Sequence, residues 1–435
     1  MSQQAKRVSS VGWGKILAFL GFTAGIIGVT YSQFDAVAAY ESPTASLVKL
    51  GMKFEGAQTC AAANCHGATG SEMGKKGRGL NSYTLWNGND PHKKSYEVLS
   101  NDESKAMAEK LSIASATTSA RCLSCHSVDA PAALHGEKFT LEEGNSCSTC
   151  HGPSEKWRQP HATEGWTDKE RAATGSHAAL LAKHGLFDTR PLVQRAERCS
   201  SCHLAIEPDL VAAGHPTPVF DLAYYSDPNY YSDRHWMDDE TPYFHAKQWA
   251  VGQIILARDA MKQVAVRANA GASAESIKDA ADQALSHFSM AGAAMTGMGF
   301  KADAVSGLAA KAADLEKAVA GGDKAAVAAA ATAISDAITA NAADANGLTP
   351  DKAKTVATLA AIAGMKDLTA KYGAHGAEQQ AWAIYGLYDA FARMENPGDK
   401  DAVVEAIGGL FLEDGRKVPD GFEGKLAEVA GKLPK

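Results

Sequence analysis

Eight cysteines fall into four pairs, and a histidine follows the second member of each pair directly. The pairs are Cys60/Cys65 before His66, Cys122/Cys125 before His126, Cys147/Cys150 before His151 and Cys199/Cys202 before His203. No cysteine is left over. Three pairs are spaced C-x-x-C-H, while the first, CAAANCH, is two residues longer. Two thiols and an adjacent imidazole suit one chemistry above others. Each thiol adds across a vinyl group of haem to form a thioether, and the histidine then sits under the iron as its proximal ligand. Four repeats of the pattern predict four covalently bound haem c groups.

Two other uses of paired cysteines compete with this one. An exported chain with an even cysteine count suits a disulfide framework, and Cys122 to Cys150 approaches a zinc-ribbon spacing. Neither accounts for the histidines. With 14 histidines in 435 residues, four chance placements after a second cysteine have odds of about one in a million. The long first motif fits the same chemistry, because Ala61-Ala-Ala-Asn64 carries no bulky side chain to keep the two sulfurs apart. Read otherwise, Cys60 and Cys65 would be two spare thiols beside a histidine by accident.

The elements that position these residues follow from composition. At 435 residues the chain is long for a single core. A formal charge of -7 argues against a nucleic-acid partner. Lys6, Arg7 and Lys15 precede the apolar run Ile16–Tyr31, and Ala36-Val37-Ala38 offers a small-residue cleavage site. Residues 1–38 therefore read as a signal peptide or an N-terminal membrane anchor, and the chain is expected outside the cytoplasm. All eight cysteines and ten of the 14 histidines lie between Cys60 and His215. Residues 39–245 are thus expected to form a tetrahaem domain, leaving about forty residues per haem. Segments that short cannot enclose each cofactor separately. The porphyrins are expected to pack against one another, with short helices and loops, punctuated by Gly67, Gly70, Gly74, Gly77, Pro131, Pro153 and Pro160, wrapped around them.

A second axial ligand decides what each iron does. His92 in the run DPH, His161 in WRQPH and His215 in AAGHP are the distal candidates, with His135, His235 and His245 in reserve. Which serves which haem does not follow from spacing. The runs GNSCSTCHGPSEKW, RCSSCHL, DPHKKSYEVL and AAGHP resemble the multihaem c-type cytochromes of the cytochrome c-554 family over roughly Gly56 to Tyr225. The resemblance implies bis-histidine ligation for most haems and an open or weakly closed iron at His126. Pro208 stands where relatives often carry a further histidine, so the resemblance supplies no ligand there. The long C-terminal region has no counterpart in the short tetrahaem carriers.

Residues 246–435 form a different kind of sequence, alanine-rich and without cysteine. Val327, Ala331, Ile334 and Ile338 recur at helical spacing, as do Ile384, Leu387, Tyr388 and Phe391. Thr349-Pro350 reads as a helix start. Gly321-Gly322, Asn346-Gly347 and Asn396-Pro397-Gly398 read as breaks. Six or so amphipathic helices are expected in a bundle, with His287 and His375 as satisfied or exposed histidines rather than sixth ligands and Trp249 and Trp382 as core. The fold class is mostly α throughout. An exported, periplasmic electron-transfer protein is the leading expectation, soluble or anchored to the membrane through its N-terminus. Its partners are redox proteins, and the bundle is a docking or oligomerisation element, or a means of joining a redox complex. An oxidoreductase acting on a small nitrogen or sulfur species at the His126 haem is the alternative.

Overall fold

The computed structural model describes residues 43–69, 80–204, 206–226, 241–300, 307–413 and 416–435. The N-terminal apolar run, the glycines at 70, 74 and 77, and His235 lie outside them. Among the described residues the fold is mostly α, with two isolated β-bridges and no strand.

The first half contains short helices joined by irregular chain. Residues 80–184 hold nothing longer than the nine-residue helices Asp102–Lys110 and Trp166–Thr174. Up to Leu186 the clusters of buried apolar side chains are small: Leu47, Phe54 and Val128; Leu99, Ala116 and Leu123; Trp157, Leu180 and Leu186. Burying an aliphatic or aromatic side chain contributes about 1.5–3 kcal/mol. Clusters of three leave a segment of this size short of stabilisation from protein atoms alone.

The second half is built differently. Eight α-helices follow Thr241 among the described residues, running from Phe244–Asn269 to Phe422–Lys432. Phe244–Asn269 is buried along most of its length, with Trp249, Ile254, Ile255 and Leu256 inaccessible. It packs against Ala274–Gly297, Lys324–Thr339 and Leu368–Glu395. The two helical stripes read from the sequence face this core: Val327, Ala331, Ile334 and Ile338 are buried, as are Ile384, Leu387, Tyr388 and Phe391. The expected breaks are present: Gly322 caps Leu308–Gly321, a short 3-10 turn ends at Gly347, and Asn396 caps Leu368–Glu395 in a left-handed conformation. The helix expected from Thr349-Pro350 instead begins at Lys352. Asp351 is its N-cap, accepting the Lys354 N–H at 2.8 Å, because its carboxylate reaches the free amide that Thr349 is too early to meet.

This core does not stop at residue 246. Leu192, Val193 and Ala196 of the helix Leu192–His203, then Leu204, Phe220 and Leu222, belong to the same buried cluster as the bundle. The helix that carries the fourth cysteine pair therefore lies directly on Phe244–Asn269. Among the described residues no helix is long and apolar enough to cross a membrane.

Candidate functional site

Three of the four motifs end a helix: Ala120–His126, Cys147–His151 and Leu192–His203 each terminate at the histidine. Cysteines three apart on a helix share a face, so both thiols and the imidazole project from the same end. CAAANCH does without a helix. Its loop turns back on itself, with His66 N–H donating to Cys60 O at 3.1 Å and Gly67 N–H to Ala62 O at 3.0 Å. A Cβ at Gly67 would stand 1.9 Å from Ala61 O, so the tight return needs glycine. The two extra residues are absorbed in the turn.

The four motifs lie against one another. The thiols of Cys60 and Cys147 lie close enough to perturb each other's ionisation, as do those of Cys125 and Cys202, and Cys150 lies near Cys199 and Cys202. The spatial order is therefore first, third, fourth, second. Glu143 ties the first two of these together, accepting Ala57 N–H at 2.8 Å and the Ser146 hydroxyl at 2.8 Å.

The distal candidates find partners. His161 stacks opposite His66 with ring centroids 6.0 Å apart, His92 faces His203 at 5.9 Å, and His215 faces His126 at 6.2 Å. Metal–imidazole bonds run ~2.0–2.1 Å, so two rings on opposite sides of one metal, each centre about 1.1 Å behind its nitrogen, stand roughly 6.2 Å apart. All three pairs have this spacing.

Ring orientation separates these histidines from the rest. His92 Nδ1 bonds Asp90 Oδ1 at 2.8 Å, His126 Nδ1 the Ser95 carbonyl at 2.7 Å, His161 Nδ1 the Arg158 carbonyl at 2.5 Å and His215 Nδ1 the Pro216 carbonyl at 2.8 Å. Each leaves Nε2 for a metal, and the partner fixes the tautomer. His135, His184 and His375 are engaged through Nε2, by the Ala130 carbonyl, Glu170 and Asp279, and His177 Nε2 accepts the Asp188 N–H. His135 also stacks on Phe139 at 3.9 Å. His245, at the start of Phe244–Asn269, contacts Phe244. His287 is enclosed in the bundle, where burial pushes its imidazole down to about 3. Burial also lowers His126, His151 and His161, which keeps them in the neutral form that binds metals.

His215 is held in place by the second motif's own helix. The AAGHP segment follows the helix Pro208–Ala213, and Arg121 of the second motif's helix clamps that helix through Glu207 and through Asp209 at 2.7 Å. Lys110 Nζ adds a bond to Ala213 O at 2.9 Å. These ties hold His215 opposite His126, in the motif for which the resemblance implies an open or weakly closed iron. Among the described residues no histidine ring pairs with His151. Its ring neighbour is Trp157, at 6.4 Å, whose buried indole N–H has no hydrogen-bond partner.

A cavity of about 630 Å³ opens between the second and fourth motifs, lined by Cys122, Cys125, Cys199, Cys202 and the rings of His92, His126, His203 and His215. The cysteines lie deep, and burial pushes the Cys150 thiol up to about 12, yet they still face open space. Thiols and Nε2 atoms converging on an interior void, in a half with little apolar core, fit haem c.

Paired thiols with an adjacent histidine, arranged about such a void, define a c-type cytochrome. Residues 59–152, which contain the first three motifs, match the family of cytochrome c554 and c-prime, and this segment is a c-type cytochrome of that family. Comparison with curated proteins and with solved structures finds no match.

Sequence reasoning overlooked the residues behind the candidate ligands. Asp90, one residue before Pro91, was readable as a cap. Ser95 was not, because its carbonyl serves His126 and its hydroxyl donates to the His126 carbonyl at 2.9 Å across 31 positions.

Proposed function

We propose that the chain is an exported tetrahaem c-type cytochrome that passes single electrons between redox partner proteins. Haem c, when bound, supplies a reversible one-electron iron couple. The protein's part is attachment through Cys60, Cys65, Cys122, Cys125, Cys147, Cys150, Cys199 and Cys202, and axial ligation through His66, His126, His151 and His203. His161, His215 and His92 close the first, second and fourth sites. The observation that carries this reading is the set of three histidine pairs at axial spacing, each with an Nε2 directed away from its Nδ1 partner. Closed iron favours transfer over substrate binding. Contact between motifs in the order first, third, fourth, second supports one continuous path. Residues 39–245 would carry that path, and residues 246–435 would dock partners or further subunits.

A second reading, an oxidoreductase for small nitrogen or sulfur species, is favoured by one observation: the ring facing His151 is an indole with a free N–H rather than an imidazole. Under this reading the reactive centre is the third motif, not the second. An anaerobic optical and EPR titration of the holoprotein tests both. Electron transfer predicts four one-electron couples with low-spin ferric signals dominant. A mostly high-spin spectrum would overturn it, and turnover of nitric oxide or hydroxylamine at one high-spin haem would favour the oxidoreductase.

A further inference from the structure

Arg198 stands one residue before the fourth motif, on the helix Leu192–His203, and its side chain turns inward. The residue is 7% exposed. Its Nη1 donates to the Pro43 carbonyl at 3.0 Å, its guanidinium lies 5.9 Å from the Phe187 ring, and its Nη2 has no hydrogen-bond partner. The side chain lines the cavity shared by the motifs, and its charge acts on Cys125, Cys150 and Cys202.

A buried guanidinium without a counterion is strongly unfavourable. The carboxylates on the surrounding elements are already engaged. Glu197, on its own helix, pairs with Arg258 at 2.7 Å; Asp188, beside Phe187, pairs with Arg190 at 2.9 Å and Arg171 at 3.1 Å; Asp259, on the bundle helix, pairs with Arg258 at 2.8 Å. Among the described residues no carboxylate pairs with Arg198. What the site lacks is an anion, presented from the cavity side to a planar, fork-shaped donor.

We propose that Arg198 is an anion site within the haem cavity, and that it holds a haem propionate carboxylate. This rests on the tetrahaem reading above. Arg198 is then a positioning residue. It keeps one propionate ionised and neutralised beside the second, third and fourth motifs, and so raises the reduction potential of the haem that bears it. A unit charge ~12 Å from an iron, at an effective dielectric of ~20, shifts a one-electron equilibrium about tenfold, which is about 59 mV.

The test compares the holoprotein with Arg198→Gln and Arg198→Lys by intact mass and by spectroelectrochemistry at pH 5 to 8. Four haems attached in parent and variants means the tetrahaem reading stands, and a parent with fewer overturns that reading alone. In R198Q one couple is expected to fall about tenfold in its equilibrium at pH 8 and by less at pH 5. Without its partner, the carboxylate takes up a proton at low pH and loses the charge that disfavours reduction. R198K, which keeps the charge but not the fork, should show part of that change. Should R198Q not mature, R198K decides alone. A lowering equal at all pH values would indicate a bare cation with no carboxylate partner and overturn the proposal, as would parent potentials and slopes in a fully loaded variant. Potentials of the parent that follow added acetate or phosphate would assign the site to a free anion and overturn the propionate.

Discussion

Asp90 offers a quantitative perturbation of His92, one of the proposed axial ligands. Its Oδ1 accepts His92 Nδ1 at 2.8 Å and the His92 backbone N–H at 2.9 Å. Asn at this position keeps an oxygen for the backbone N–H, so the cap and the short turn behind Pro91 survive, while the charge is lost. Adding about 2.2 Å across the imidazole and ~2.0 Å for the metal bond places the carboxylate roughly 7 Å from an iron held by His92. At an effective dielectric of ~20 that charge contributes about 2.4 kcal/mol, or about 100 mV for one electron. The His92 side chain is 31% exposed, so solvent and salt reduce the effect, and a rise of about 60–100 mV is expected. The sign is fixed: a carboxylate behind the ligand favours ferric iron, and its removal favours ferrous iron. Spectroelectrochemistry of the parent and Asp90→Asn, each with its haem content measured, should show one couple moved upward and the others in place. A fully loaded variant in which no couple rises would refute His92 as an axial ligand supported by Asp90.

Other expectations concern single sites. His215→Ala should convert one low-spin ferric haem into a high-spin one, seen by EPR; an unchanged spectrum would remove His215 from the His126 axis. The ring planes of His66 and His161 differ by 9°, those of the other two pairs by 90° and 81°. Parallel imidazoles split the two iron dπ orbitals and perpendicular ones leave them nearly degenerate, so one rhombic low-spin signal and two strongly anisotropic ones are expected. Burial pushes the Asp221 carboxyl up to about 6 from an ordinary 3.8. Its ionisation is therefore unfavourable in the fold, absent below the unfolded value and fully present above the folded one. Stability should fall by about 2 kcal/mol as pH rises from 4 to 6, and Asp221→Asn should remove that decline in chemical denaturation followed by circular dichroism. Equal pH profiles for both proteins would contradict it.

The candidate attachment residues were legible because thioether chemistry is local: two thiols and a histidine must lie within a few residues, and the sequence displays them. The bundle stripes at Val327–Ile338 and Ile384–Phe391 were legible for a similar reason, since helical periodicity is local too. The pairing of histidine rings was not, because His126 meets His215 across 89 positions through a helix clamped by Arg121. Sequence spacing ranks neither His161 nor His92 for a given motif. Nor did it set His135, at a plausible distance from the second motif, apart from the other candidates; in the fold its Nε2 is engaged by the Ala130 carbonyl. The composition change near residue 246 is real, but the core crosses it, because Leu192, Val193 and Ala196 bury the back of the fourth motif's helix against the bundle.

The central claim is that four tetrapyrroles are covalently carried, one on each cysteine pair. Peptide-mapped mass spectrometry of the protein, matured in a host that attaches haem c, tests it most directly. Four haem-bearing peptides are expected, with the peptide holding Cys60 and Cys65 among them. Unmodified thiols or a disulfide at any of the four pairs would contradict it.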